Sequence, residues 1–281
     1  MSAAAQRLLH PVWRALLYAA LIAWAVVDIY PMIWTALTSV KTNREYFDNP
    51  FGLPAEWHFQ NYPDAWSQGR MNLYFLNTVA LAAGVVLLSL ALASSTSFVF
   101  ARFRFRGSWV LWTLLMAGFL MPVTTRMVPI VVFMRRLGLY GNMLSIIVVL
   151  AAAAVPFSAF FLRAYMETIP RELEEAAIVD GANMWQVYTR IILPLAQPAL
   201  ATLGTFNFIT AWNEFTMVIL LSRSDSTFTL PVGIRFLNSS RAADITGTAA
   251  GLVITIVPVA LVFLFLQRFV VKGMTAGALK G

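Results

Sequence analysis

Six long stretches of this chain carry at most one charged side chain, and each approaches the thickness of a bilayer. A helix needs about 20 mostly apolar residues to cross the hydrocarbon core. Residues 71–101, 107–125, 137–162, 191–213 and 245–267 approach or exceed that length without a charge. A sixth stretch, 15–40, is interrupted once by Asp28. It is too long for the apolar segment of a signal peptide, and no clean small-residue cleavage site follows it. Only 12% of the residues are charged, where a soluble domain carries about a quarter. Much of the surface must therefore face lipid. In lipid every backbone polar group has to be satisfied within the segment, so the expected fold class is an all-α polytopic membrane protein with six transmembrane helices and both termini on one side.

Composition excludes several kinds of chemistry. The chain has no cysteine and only two histidines, His10 and His58, far apart in sequence. Disulfides and thiolate metal sites are impossible, and a metal enzyme is not expected. The Gly-x-x-x-x-Gly-Lys-Ser/Thr phosphate loop is missing, so this polypeptide is not expected to hydrolyse ATP. The net charge of +7 is spread along the chain without a compact basic block. It reads as anchoring at the membrane surface, with no nucleic-acid partner.

Lys and Arg divide almost evenly between the two sides, but short loops near helix ends carry most of the orientation signal. Arg102, Arg104 and Arg106 fill a very short loop, and Arg268, Lys272 and Lys280 follow the last span. Both sets favour a cytoplasmic N-terminus and C-terminus; Arg135 and Arg136 oppose it. Residues 42–70 and 222–244 then form outer loops, and 167–190 is the one sizeable inner loop. No tandem repeat or soluble domain is evident.

That inner loop reads as a helical hairpin. Pro170 suits a first helical turn, and Glu172, Glu174 and Glu175 lie near the positive end of the helix dipole. Leu173, Ala176 and Ala177 share one narrow, small-sided face. Gly181 can take the left-handed conformation that closes a helix. A second helix carrying Met184, Trp185, Val187, Tyr188, Ile191 and Ile192 runs to Pro194. So short a helix is marginal in water without packing and should lie in a groove. The alternative is a hairpin resting on lipid headgroups, against which stands the acidity of its first helix.

Glu175, Ala176, Ala177, Gly181, Ile191, Leu193 and Pro194 resemble, without a gap, the EAA loop of ABC-importer permeases, at the family's position between spans four and five. The resemblance implies a type I importer permease fold with a cytoplasmic coupling helix, which includes Asp180, seated in a cleft of an ATPase subunit. It implies that this chain binds no cofactor and that ATP and Mg are bound by two cytoplasmic ATPase subunits. A second homologous permease and an extracytoplasmic sugar-binding protein complete the expected partners. The expected location is a bacterial inner membrane, with 1–70 an N-terminal segment, first helix and outer loop, 71–270 the transport domain and 271–281 a cytoplasmic tail.

Within span five, Trp212-Asn213-Glu214-Phe215 places an ionisable group at membrane depth, where it usually faces a cavity or the bundle. A flat indole and an amide suit a sugar ring, so Trp212, Asn213 and Glu214 are candidate path residues. The plain reading is an interface Trp and a paired or snorkelling Glu. The Trp-Asn-x-Phe pattern is similar to that of sugar permeases, as are Pro31-x-x-Trp34 with Ser39-Val40-Lys41, Asn77-Thr78, and the tail 273–281, which resembles the smaller maltose-type permease. Alone the tail would read as a disordered end; the resemblance implies that it reaches the ATPase interface. Asn77 and Thr78 read as interhelical hydrogen-bonders or caps, Asp28 as an interfacial or packing carboxylate, and Arg126 as an interface anchor, with a polar cavity as its alternative setting. The rivals are an ion-coupled secondary transporter using Asp28 and Glu214, a silent membrane anchor, and an ABC permease for another solute such as a phosphorylated polyol.

Overall fold

The computed structural model describes residues 3–240 and 244–278, with no side-chain detail for 3–12, 123, 238–240 and 266–278. All regular structure among them is helical. Among the described residues four helices are long and apolar enough to cross a membrane: Trp13–Thr38, Met71–Arg102, Met143–Met166 and Ile245–Phe265. Two bent pairs, Ser108–Leu120 with Thr124–Arg136 and Met184–Leu195 with Gln197–Trp212, bring the number to six if each pair is one span.

The chain divides into two compact units, Met1–Gly69 with Ile234–Ile254 and Arg70–Gly233 with Thr255–Gly281. In the first, Ala3–Thr38 is one continuous helix. The polar loop that follows is folded around a buried lysine. Lys41 is 1% exposed, and its ammonium donates to the carbonyls of Asn49 and Gly52 at 2.8 and 2.6 Å. Asn61 donates to the carbonyls of Ser39 and Lys41, both at 2.8 Å. The Trp34 indole donates to Pro50 at 2.9 Å. Two short helices, Asn43–Asp48 and Asn61–Ser67, occupy this loop, the first capped by the Thr42 hydroxyl accepting from the Glu45 amide. A lysine in a polar loop ordinarily faces solvent; here the fold turns it inward. Lys41→Met keeps an apolar stem but strands two carbonyls, a loss of about 1–3 kcal/mol. Limited proteolysis should then cut residues 42–70 faster than in the wild type; equal rates would contradict this role.

In the second unit, Met71–Arg102 packs most heavily against Met143–Met166. Small residues let the two backbones approach. Gly84 lies against Ile147, whose Cδ1 would be 2.7 Å from a Cβ placed there. Ala93, Ala159, Leu162, Ala199 and Leu203 form a buried cluster that also takes in the Gln197–Trp212 helix. Polar ties cross these helices. Ser97 donates to the Ala159 carbonyl at 3.0 Å, and the Asn207 amide donates to the hydroxyls of Ser89 and Ser158 at 2.9 and 3.2 Å. Asn77 donates to the carbonyls of Ser226 and Phe228, and Thr78 accepts from the Leu230 amide. The Asn-Thr pair is thus an inter-segment tie, as read from sequence.

Three expected spans or loops differ. The stretch read as 107–125 breaks after Leu120, because Pro122 drives Met121 out of the helical region (ψ 124°). Val123–Arg136 follows as a separate helix bent by 106°. The span read as 191–213 begins at Gln197; Ile191, Leu193 and Pro194 belong to a preceding segment bent by 73° from it. The outer loop 222–244 contains a helix, Leu230–Ser240. The last helix runs on to Ala278, so most of the tail read as flexible has helical backbone. Lys280 and its neighbours from 279 lie outside the described residues.

Candidate functional site

The polar hairpin that follows Met143–Met166 closes on a turn whose backbone bonds are well defined. Its first helix spans Glu172–Val179. At its end the Ala182 amide donates to the Ala177 carbonyl at 2.9 Å and the Gly181 amide to Ile178 at 3.0 Å. These two bonds form a Schellman closure, which needs a left-handed residue between them; Gly181 supplies it at φ 88°. Asn183 starts the second arm with a capping box. Its side chain accepts from the Gln186 amide, and the Gln186 side chain accepts from the Asn183 amide. The arm continues as Met184–Val187, a π-helical turn Tyr188–Ile192 and Leu193–Leu195.

The hairpin is anchored on one side and open on the other. Val187, Tyr188 and Ile192 are buried with Phe98, Ala101, Met166 and Ile169, and Ala177, Ala182, Ile191 and Leu193 pack against that cluster. The Tyr188 hydroxyl lies 2.8 Å from that of Ser94. Outward stand Leu173, Ile178, Val179, Met184 and Trp185, with Val179 87% and Trp185 69% exposed. Glu175, Ala176, Asp180, Gly181 and Pro194 are also exposed. A contiguous surface of this kind on a short polar hairpin is what a partner groove would cover.

Glu174 is the exception among the acidic residues. Its carboxylate Oε1 lies 2.5 Å from Nε of Arg102, with side chains 11% and 6% exposed. Neither atom makes an aligned hydrogen bond, so the contact is a charge pair. Arg102 also donates through a terminal nitrogen to the Ile169 carbonyl at 3.1 Å. Sequence reading gave Arg102, with Arg104 and Arg106, as a short-loop charge favouring the cytoplasmic side; the structure uses it to tie the end of Met71–Arg102 to the hairpin.

The Trp212-Asn213-Glu214-Phe215 motif stands at a helix break. Asn213 ends Gln197–Trp212 with φ −89° and ψ 4°, and its amide donates back to the Ile209 carbonyl at 2.9 Å. Glu214 Oε1 accepts from the Met217 amide at 2.7 Å, capping Thr216–Leu221. Trp212 is 2% exposed; its indole donates to the Thr255 carbonyl at 3.1 Å, and its ring meets Phe75 edge-on. A cavity of about 680 Å³ opens beside the break, lined by Phe119, Arg126, Phe157, Asn207 and Glu214 among largely apolar residues. Glu214 reaches this cavity; Trp212 and Asn213 are not among its lining residues. Arg126 donates to the Gly118 carbonyl at 3.3 Å, while its buried Nε has no hydrogen-bond partner. Sequence reading missed Asn207, whose type alone does not tell a buried tie from a surface amide. Among the described residues no group of three or more His, Cys, Asp or Glu could hold a metal.

These features match known proteins along most of the chain. The family model described as binding-protein-dependent transport system inner membrane component matches residues 86–276. The diacetylchitobiose uptake system permease protein NgcG of Streptomyces coelicolor is 34% identical over 95% of this chain and 89% of its own length. The galactooligosaccharides transport system permease protein GanQ of Bacillus subtilis is 29% identical over 94% of each. A crystallised bacterial ABC transporter involved in import of the acidic polysaccharide alginate contains a chain that aligns with TM-score 0.81 at 25% identity, covering 95% of this chain and 98% of that one. The fold is accordingly that of an ABC-importer permease, and the chain belongs to the binding-protein-dependent transport system inner membrane component family.

Proposed function

We propose that this chain is the permease subunit of an ATP-driven carbohydrate importer and forms half of its translocation pathway. It pairs with a second homologous permease. Two cytoplasmic ATPase subunits bind ATP and Mg and engage the hairpin, and an extracytoplasmic sugar-binding protein delivers the cargo. Both termini are then cytoplasmic. Residues 71–270 form the transport domain, 1–70 its N-terminal appendage and 271–281 its tail. The observation that carries the reading is the hairpin. It is rigidly closed at Gly181, rooted in the bundle through Val187, Tyr188 and Ile192, and apolar on its free side at Val179 and Trp185. A lever needs those three properties. ATP closure of the ATPase pair moves the helix around Glu175 to Asp180, and the anchored second arm passes that motion to Gln197–Trp212. Carbohydrate relatives support a sugar as cargo. The permease should transport in vesicles only when the ATPase and binding protein are added; uptake by the permease alone, without ATP, would overturn the reading.

Among the candidate path residues, Glu214 is assigned to the cavity wall, while Trp212 and Asn213 hold the break that positions it. Glu214→Gln keeps an acceptor for the Met217 amide and removes the charge, so it should lower transport without weakening the fold. Trp212→Phe loses one indole hydrogen bond, about 1 kcal/mol, and should lower thermal stability first. Reduced transport at unchanged stability for Trp212→Phe would instead favour direct contact between its indole and the cargo.

A further inference from the structure

A second cavity, of about 600 Å³, lies where Met71–Arg102 ends, Ser108–Leu120 begins and Met143–Met166 ends. Its volume falls in the range of small-molecule sites. Four arginines line it, Arg102, Arg104, Arg163 and Arg171, with Glu167 as its acidic residue. Two of the four are already compensated. Arg102 faces Glu174, and Arg163 pairs with Glu167 at 2.9 Å while its guanidinium lies 4.5 Å from the centre of the Trp112 ring. Arg104 and Arg171 are exposed and make no ion pair or side-chain hydrogen bond among the described residues. The remaining wall is mostly aromatic, with Phe100, Trp109 and Trp112, and carries the hydroxyls of Ser108 and Thr113.

From this combination we infer a binding site for an anionic glycerophospholipid. Arg104 and Arg171 hold its phosphodiester, and the Phe100, Trp109 and Trp112 wall receives the start of its acyl chains. Two uncompensated guanidinium groups call for a negatively charged oxygen ligand, which arginine's fork is shaped to grip. The aromatic wall sits at the ends of membrane helices, where indole rings prefer the interface. A soluble phosphate would leave that wall unused, which favours lipid as the source of the anion. Anionic lipid attracts each nearby basic side chain by about 1 kcal/mol, or roughly fivefold in affinity. The site also adjoins the hairpin, because Arg102 lines the cavity and holds Glu174. An occupied site therefore places a lipid against the joint itself.

The test reads lipid binding alone, independently of transport. Full-length permease purified from membranes is stripped of lipid in detergent and offered equal amounts of dioleoylphosphatidylglycerol and dioleoylphosphatidylcholine. Native mass spectrometry then counts what it retains. The wild type should prefer phosphatidylglycerol. Arg104→Gln combined with Arg171→Gln should reduce that preference on the order of tenfold, and the corresponding double change to Lys should keep most of it. Thermal unfolding of each variant establishes that the fold is intact. Equal retention of the two lipids by the wild type, or undiminished preference in the Gln variant, overturns the proposal. Displacement of the bound lipid by inorganic phosphate at low millimolar concentration would also overturn it, reassigning the cavity to a soluble anion.

Discussion

Glu174→Ala is expected to be among the most damaging single substitutions near the hairpin. It removes the partner of Arg102, whose side chain is 6% exposed, and leaves a guanidinium enclosed without a counter-charge. Breaking a buried pair from one side costs about 3–5 kcal/mol, whereas replacing both partners with apolar groups is often neutral. The loss would fall on the contact between the hairpin's first helix and the end of Met71–Arg102. Purified Glu174→Ala should unfold at lower temperature and lose ATP hydrolysis stimulated by the binding protein in the reconstituted importer. The double variant Arg102→Leu with Glu174→Leu should recover most of the stability. If the single variant melts like the wild type, or the double variant is worse than the single, the pair is not the tie described here. Neighbouring Glu175 is exposed, so Glu175→Ala should leave the melting temperature close to wild type.

Much of this was legible in advance. Long apolar runs fixed the helical class because lipid admits few alternatives for an unpaired backbone. The hairpin was legible because its turn needs a residue without a Cβ at Gly181; its second arm, expected in a partner's groove, is instead buried at Val187, Tyr188 and Ile192 against Phe98 and Met166 of its own bundle. Boundaries inside apolar stretches were harder. Pro122 was present, yet hydropathy is continuous through it, so the span was carried on to Thr125 while the backbone turned at Met121. Pro194 and Pro198 similarly flank the bend at Ala196. The capping box at Asn183 and Gln186 follows a spacing rule and could have been found by it. The direction of a side chain could not. Lys41, Arg102 and Glu174 all look like surface charges in a sequence, yet Lys41 is buried against carbonyls of its own loop and Arg102 and Glu174 are buried against each other, far apart in the chain. For the Trp212 motif, residue type suggested sugar contacts. The backbone break that engages the Asn213 amide and a Glu214 oxygen is a property of local geometry, invisible to composition.

Gly181→Val should uncouple the hairpin while leaving the protein inserted and folded. At φ 88° a residue with a Cβ is strained by about 1–2 kcal/mol, and a β-branched side chain adds to that. The penalty is one of backbone conformation, since a Cβ at this position would meet nothing within 4 Å. Relief requires Gly181 to leave the left-handed region, which breaks the bonds from the Gly181 and Ala182 amides to Ile178 and Ala177. The second arm is held by Val187, Tyr188 and Ile192, so the movement falls on the Glu172–Val179 helix and strains the Glu174–Arg102 pair that ties it down. Substitutions should therefore rank Gly, Asn, Ala, Val in declining coupling, because Asn tolerates the left-handed turn better than other side chains. Substrate-stimulated ATP hydrolysis by the reconstituted importer reads that order. Wild-type stimulation in Gly181→Val would mean that the turn transmits no force and that the groove is engaged elsewhere. A loss in Gly181→Val with a near-normal Gly181→Asn ties the coupling to one backbone angle, because Asn is the longer side chain, and so the sterner test of space, yet the better tolerated in the left-handed turn.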